Sequence, residues 1–125
     1  TPLLQAVPPD GVRERPDGPY SNNPQVRAAR GAAEVLAWAS ERTGGGRGFG
    51  FTGLHDHWNW AHPEYRKFLL NAFVWLGVAE VPAAGVVSPA PTLTRLQQDI
   101  PKPVPAQWPR AEVEALIAGW PIASP

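Results

Sequence analysis

The sequence contains no cysteine, so neither disulfides nor thiolate chemistry are available within this chain. An excess of either charge is also missing, since 11 Lys and Arg balance 11 Asp and Glu, and the charged residues are scattered. A nucleic-acid surface needs a basic stripe that neutralises phosphates, and an anionic membrane attracts a similar cluster. We therefore expect neither nucleic acid nor a membrane as a partner.

Long apolar runs are missing as well. No segment approaches the roughly 18 to 20 apolar residues that cross a bilayer, and no basic-plus-apolar signal opens the chain. Methionine is absent even from position 1, so we expect a fragment or a processed chain. The compartment stays open between the cytoplasm and a secreted location, because a secreted protein can also lack disulfides.

Proline and glycine, by contrast, are abundant. The 16 prolines and 12 glycines form more than a fifth of the 125 residues, where roughly 12 per cent is usual. Few residues therefore remain for regular elements, and the length suits one domain better than two.

Short strands joined by turns are predicted for the first half of the chain. Leu3, Leu4 and Val7 indicate a short strand that two prolines end. Residues 34–42, EVLAWASER, fit a helix turn and a strand, and their length favours a strand. The glycines at 44–46 then predict a turn into a second strand at 47–51, whose own glycines indicate that a large side chain or another backbone approaches closely.

Helical periodicity is clearest over Pro63–Leu76, where apolar residues recur at spacings of three and four and predict a wide core-facing stripe. Arg66 and Asn71 lie mostly on the opposite side of this helix, and Gly77 ends it. Shorter helices are predicted over residues 25–30, 92–98 and 110–118.

Four further side chains carry expectations of their own. Trp38 and Trp75 are expected in the core, because large aromatic residues in regular elements are usually buried. Arg13 and Arg15 lie in a long early loop. We expect them to be solvated charges, with contact to a substrate as the alternative.

Residues 46–75 carry most of the chemistry in this sequence, because a glycine-flanked strand leads through a turn holding all three histidines into the long helix. The sequence from residue 46 reads GRGFGFTGLHDHWNW, and after AHPE it continues as YRKFLLNAFVWLGVAEVPAAGV. This combination resembles the ThuA-like (trehalose-utilisation) family, in particular its bacterial members. With AVPPDG, NPQVRA and EVLAWASERTGGG upstream, the resemblance covers roughly residues 1–90.

The resemblance implies an α/β fold of the flavodoxin-like, class I glutamine amidotransferase-like type, a three-layer sandwich with helices on both faces of a sheet. Residues 1–90 would be the C-terminal portion of a ThuA-like domain, and residues 91–125 a Pro-rich C-terminal extension with a short helix. An isolated part of such a sheet exposes an unpaired edge. The missing N-terminal half, or self-association, would then be a partner.

The histidine turn allows three interpretations. In the first, His55 is a general acid or base assisted by Asp56 and His57. In the second, His55 and His57 bind a divalent metal such as zinc, with a third ligand from elsewhere. In the third the turn is structural, and its histidines, His62 among them, bond carbonyls and cap the following helix.

Three residues after the histidines are candidates for substrate binding. Trp58 and Trp60 flank Asn59, and apolar sugar faces stack on aromatic rings while polar groups fix their orientation. The alternative is that both indoles fill the space between turn and sheet. Asn59 would then cap the helix instead of binding a hydroxyl.

The family's link to sugar pathways implies a function in carbohydrate metabolism, on a small sugar or keto-sugar derivative, with a histidine as general acid or base. Hydrolysis, isomerisation and epimerisation all remain open, and so does whether the chain is an enzyme. Family members usually have Gly where this chain has Leu54. That departure favours the alternative, a non-catalytic carbohydrate-binding or scaffolding module; a metal-dependent enzyme is the other variant.

Overall fold

A computed structural model describes residues 1–19, 23–98 and 100–121 of the chain. It divides into two compact units, Thr1–Thr52 and Gly53–Pro125. The described residues contain three strands, five α-helices and one 3-10 helix, so the mixed α/β class predicted from the sequence is confirmed.

The first unit is built on a three-stranded antiparallel sheet of order β1-β2-β3. Its strands are β1 (Pro2–Ala6), β2 (Glu34–Glu41) and β3 (Arg47–Phe51). The three predicted strands are therefore confirmed, and the glycine-rich turn joins the last two as a hairpin. No parallel strands occur among the described residues, so a flavodoxin-like three-layer sandwich, which needs them, is not confirmed.

Trp38 lies directly over Gly50, with which it pairs in the register of the hairpin. A Cβ atom added at Gly50 would lie 2.2 Å from Cζ2 of the indole, so the expected close approach to a strand glycine is confirmed. Trp38 is nevertheless 45% exposed, and its placement in the core is wrong. The ring covers backbone at the surface of the sheet, and Ala37 is the fully buried residue of β2.

Two short helices accompany the sheet, α1 (Asp10–Arg13) and α2 (Pro24–Ala28). The second is the predicted helix, and the Asn23 side chain caps it by accepting a hydrogen bond from the N–H of Val26 at 2.9 Å. The first was not predicted, because its four residues carry no periodic pattern.

Arg13 is only 2% exposed, so the expectation of a solvated loop charge is wrong for this residue. Its Nη2 donates hydrogen bonds to the carbonyl of Ala32 at 2.8 Å and to the carboxylate of Glu34 at 3.0 Å. The guanidinium thus fixes the segment that enters β2. Arg15 is exposed, as expected.

The second unit places a 3-10 helix (His57–Ala61) against three α-helices. These are α3 (Pro63–Leu76), α4 (Leu93–Gln98) and α5 (Arg110–Ala118). All three α-helices were predicted, within a residue of these bounds. None of the helices in the described part of the chain is long and apolar enough to cross a membrane.

The apolar stripe of α3 is only partly buried. Leu69 and Ala72 are buried, at 2% and 8% exposure, whereas Phe73 on the same stripe is 57% exposed and Trp75 is half-buried. Arg66, predicted on the solvent side, is 7% exposed. That prediction is wrong because the arginine turns toward the carbonyls that precede the helix.

The C-terminus of α3 forms a Schellman motif without glycine at its left-handed position. The N–H of Ala79 bonds the carbonyl of Val74 at 3.2 Å, and that of Val78 bonds the carbonyl of Trp75 at 3.0 Å. Gly77 has an ordinary φ of −73°, and the left-handed angle, 59°, falls on Val78. A β-branched residue is strained there.

We therefore expect Val78→Gly to raise the free energy of unfolding. The left-handed conformation costs an L-residue about 1–2 kcal/mol. Glycine has more conformational freedom in the unfolded chain, and this offsets about 0.5–1 kcal/mol of the gain. Val78 is 68% exposed, so little burial is lost. A net gain of up to about 1 kcal/mol is expected in urea unfolding.

Val87→Gly is the matched control. Val87 is 84% exposed and its φ is not positive. Its replacement should leave stability unchanged or lower it slightly. An equal effect of the two substitutions would contradict the assignment of strain to Val78.

Candidate functional site

The histidine turn is held in place by the guanidinium of Arg66. Its Nη1 donates to the carbonyls of Trp60 at 2.9 Å and Ala61 at 3.2 Å, which end the 3-10 helix. Its Nε and Nη2 donate to the hydroxyl and the carbonyl of Ser88, at 2.7 and 3.2 Å. Carbonyls at a helix end lack partners inside the helix, so this one side chain fixes the turn to the segment that follows α3.

His62 caps α3, as the structural interpretation of the histidines predicted. Its Nδ1 accepts a hydrogen bond from the N–H of Tyr65 at 3.3 Å, and its ring lies 5.1 Å from that of Trp120. The alternative cap, the Asn59 side chain, is wrong. Asn59 contributes its backbone carbonyl, which accepts from the N–H of His62 at 3.0 Å.

The structure does not bring the three predicted catalytic residues into a hydrogen-bonded group. His55 and His57 are exposed and Asp56 is half-buried. None of the three side chains forms a hydrogen bond or ion pair with another described residue. No carboxylate in the described part of the chain therefore orients either imidazole.

The predicted metal site needs a third ligand beyond His55 and His57. Within the described ranges, no group of three or more His, Asp or Glu side chains is placed to hold a metal ion. These two histidines thus supply an incomplete donor set, and the metal site stays a prediction.

Trp60 is packed inside the turn. Its ring meets that of Tyr65 edge to face, with centroids 5.9 Å apart and planes at 84°. The hydroxyl of Tyr65 donates to the carbonyl of Gly53 at 3.1 Å. Burial raises the pKa of the Tyr65 phenol, and the nearby carboxylate of Asp56 raises it further. For Trp60, the geometry favours the structural interpretation over a sugar platform.

Trp58 instead lines a cavity of about 210 Å³, which we call the Trp58–Trp108 pocket. The two indoles meet with centroids 5.7 Å apart and planes at 61°. The other residues that line this pocket are His57, Leu93, Gln97, Ile100, Lys102, Pro103, Val104 and Pro105.

His57 lies where this pocket adjoins a second one. The second cavity, of about 340 Å³, is lined by His57, Pro91, Arg95, Leu96 and Ile100. His57 and Ile100 line both cavities. Of the two histidines proposed for catalysis, the imidazole at a cavity wall therefore belongs to His57, whereas His55 lines neither of these two cavities.

Gln97 is oriented by α5. Its Oε1 accepts a hydrogen bond from Nη1 of Arg110 at 2.9 Å, and Nη2 of the same guanidinium donates to the hydroxyl of Thr94 at 3.2 Å. A guanidinium can only donate, so it fixes the amide with the oxygen toward α5. The Gln97 N–H groups remain as donors.

Sequence reasoning missed several residues of this site. Trp108 carried no expectation beyond its place in the predicted Pro-rich extension, although an indole set among prolines is itself a signal of a binding surface, because both residue types offer rigid apolar faces. Gln97 and Lys102 carried no signal, since exposed polar residues near prolines are common. Residues 99 and 122–125 of the predicted extension lie outside the described residues.

Comparisons of this chain with protein-family models, curated proteins and solved structures found no match.

The raised pKa of Tyr65 gives a prediction for alkaline pH. With Tyr20→Phe, Tyr65 is the sole tyrosine of the chain, and ultraviolet titration should show it ionising above the ordinary value of 10.0. Asp56→Asn should lower this pKa while leaving it raised, because burial is the larger cause.

The sign of the stability effect follows from the same shift. The neutral phenol is favoured in the folded state, so its contribution is complete below the unfolded pKa of about 10. It is lost as the pH rises through the folded pKa. Tyr65→Phe should remove this loss from urea unfolding measured across alkaline pH. Ionisation of Tyr65 at or below its ordinary value would contradict the assignment.

Proposed function

We propose that this chain binds a small carbohydrate in the Trp58–Trp108 pocket, as part of a ThuA-like domain of carbohydrate metabolism. One observation carries the proposal: two edge-packed indoles line an almost entirely apolar cavity, and His57, Gln97 and Lys102 are among its other lining residues. The resemblance of residues 46–75 to the family supplies the link to sugars.

The chemistry of the walls suits a sugar ring. Its axial C–H groups form an apolar face that packs on an indole, while its hydroxyls need donors and acceptors at the edge. Because the lining is almost entirely apolar, the hydroxyls would be met at its edge, where the Gln97 amide and the Lys102 ammonium can donate and the His57 side chain can also form hydrogen bonds. About 210 Å³ is smaller than the pockets of roughly 300–1,000 Å³ that hold drug-sized ligands, so we expect a single ring.

The flavodoxin-like sandwich belongs to the same proposal. The order of β3, the histidine turn and α3 along the chain agrees with the strand, site loop and helix of the family. In this hypothesis the parallel sheet is supplied by residues that precede the part of the family domain found here.

Binding tests the choice of pocket. We expect glucose or fructose to bind the chain in isothermal titration, and Trp58→Ala or Trp108→Ala to weaken binding about tenfold or more, because a stacked face is lost. Trp60→Phe is the matched control: it keeps a ring against Tyr65 and does not line the pocket. If Trp60→Phe abolished binding while Trp58→Ala left it intact, the pocket would be the wrong site.

Catalysis is the second candidate function, and the position of His57 at the junction of two cavities favours it. A ring held in the Trp58–Trp108 pocket would present its edge to this imidazole, and a histidine positioned in this way can serve as a general acid or base. In this second candidate function, His57 transfers the proton in place of His55, the residue expected from the sequence.

Proton abstraction beside a carbonyl exchanges that hydrogen for deuterium in heavy water. With fructose as the probe, we expect exchange followed by proton NMR to be catalysed by the protein, and His57→Gln to remove it while binding persists. His55→Gln is the matched control and should exchange at the wild-type rate. Loss of exchange in His55→Gln alone would restore the original assignment, and no exchange above the protein-free rate would leave a binding module.

A further inference from the structure

A third cavity in the second unit has a different chemistry. It has a volume of about 270 Å³ and shares no lining residue with the Trp58–Trp108 pocket. Arg66 and Ser88 supply its polar wall, and Pro63, Ile117 and Trp120 are among its apolar lining residues. A guanidinium beside an indole and aliphatic side chains combines one charge with a largely apolar space.

The charge of Arg66 has no opposite charge beside it among the described residues. The side chain is 7% exposed, and all the acceptors of its hydrogen bonds are neutral oxygens: the Ser88 hydroxyl and the carbonyls of Trp60, Ala61, His62 and Ser88. Burial lowers the pKa of the Arg66 guanidinium, and no described carboxylate offsets this effect. Burying an uncompensated charge is costly, so an anion in the cavity would be stabilised.

Two hydrogen-bond donors at the polar wall of this cavity have no acceptor among the described residues. A guanidinium has five N–H donors. Nε and one N–H of Nη2 are used on Ser88, and both of Nη1 on the carbonyls before α3. One Nη2 N–H therefore has no acceptor among the described residues. The Ser88 hydroxyl accepts from Nε and donates to no described residue, so its O–H is the second.

A purely structural role accounts for part of this arrangement. The carbonyls at the end of the 3-10 helix carry partial negative charge, and Arg66 bonds them. They leave about half or more of its unit charge uncompensated, however, because a helix end contributes about half a charge at most. The two spare donors are also unexplained by capping.

We propose that this cavity binds a small aromatic carboxylate, with the carboxylate between Arg66 and the Ser88 hydroxyl and the ring against Trp120 and Ile117. A carboxylate has two acceptor oxygens, which match the two spare donors. Its single negative charge matches a single guanidinium. A phosphate fits less well, because it brings more charge and more acceptor oxygens than this largely apolar wall can satisfy.

Benzoate is the probe, and benzamide is the matched neutral ligand because it has the same shape. We expect benzoate to bind the full chain in isothermal titration and benzamide to bind at least about tenfold more weakly, since only the carboxylate carries the charge. Benzoate should also change tryptophan fluorescence through Trp120.

The test uses substitutions of other residues that line the cavity, because replacing Arg66 could unfold the turn that it holds. Ser88→Ala should weaken benzoate binding about tenfold, and Ile117→Trp should abolish it by filling the space. Val87→Ala, next to Ser88 and exposed, should bind as the wild type does, and circular dichroism checks that each variant folds.

The proposal is overturned if benzamide binds as tightly as benzoate, or if both cavity variants bind benzoate with wild-type affinity. It is also overturned if the folded wild type binds no benzoate at millimolar concentration. The sugar-binding experiments address a different cavity, so either proposal can fail while the other stands.

Discussion

The buried guanidinium of Arg66 is the constraint on which the second unit depends. It gathers the last carbonyls of the 3-10 helix and both oxygens of Ser88 around one planar group. The turn before α3 and the segment after it therefore cannot move independently. Because the acceptors are neutral, the same arrangement concentrates positive charge beside a cavity, and one residue provides both rigidity and a candidate anion site.

The three histidines of the turn have different positions in this arrangement. His62 is committed to the N-terminus of α3 and to the ring of Trp120. His57 begins the 3-10 helix and lines two cavities, while His55 stays exposed in the turn before it. The three imidazoles thus do not form one catalytic or metal-binding cluster, although they lie within eight residues of each other in the sequence.

The proline-rich segment that follows α4 forms part of the wall of the Trp58–Trp108 pocket. Trp108 closes the pocket against Trp58, and Arg110 at the start of α5 holds the amide of Gln97. Prolines suit this wall because their fixed φ keeps a segment extended without backbone N–H groups that need partners. The prediction of residues 91–125 as a separate extension stays untested, but described residues of this segment line the candidate site.

The sequence by itself determined most of the helices and strands, because periodicity, caps and turn glycines are local signals: α3, the hairpin and the Asn23 cap all follow from neighbouring residues. It also drew attention to the stretch that holds Trp58 and His57. Only the tertiary structure decided that Arg66 is buried, that Trp38 is exposed over Gly50, and that Trp108 meets Trp58. Each of these depends on residues distant in the chain or on which face another element covers, and local patterns do not encode that information.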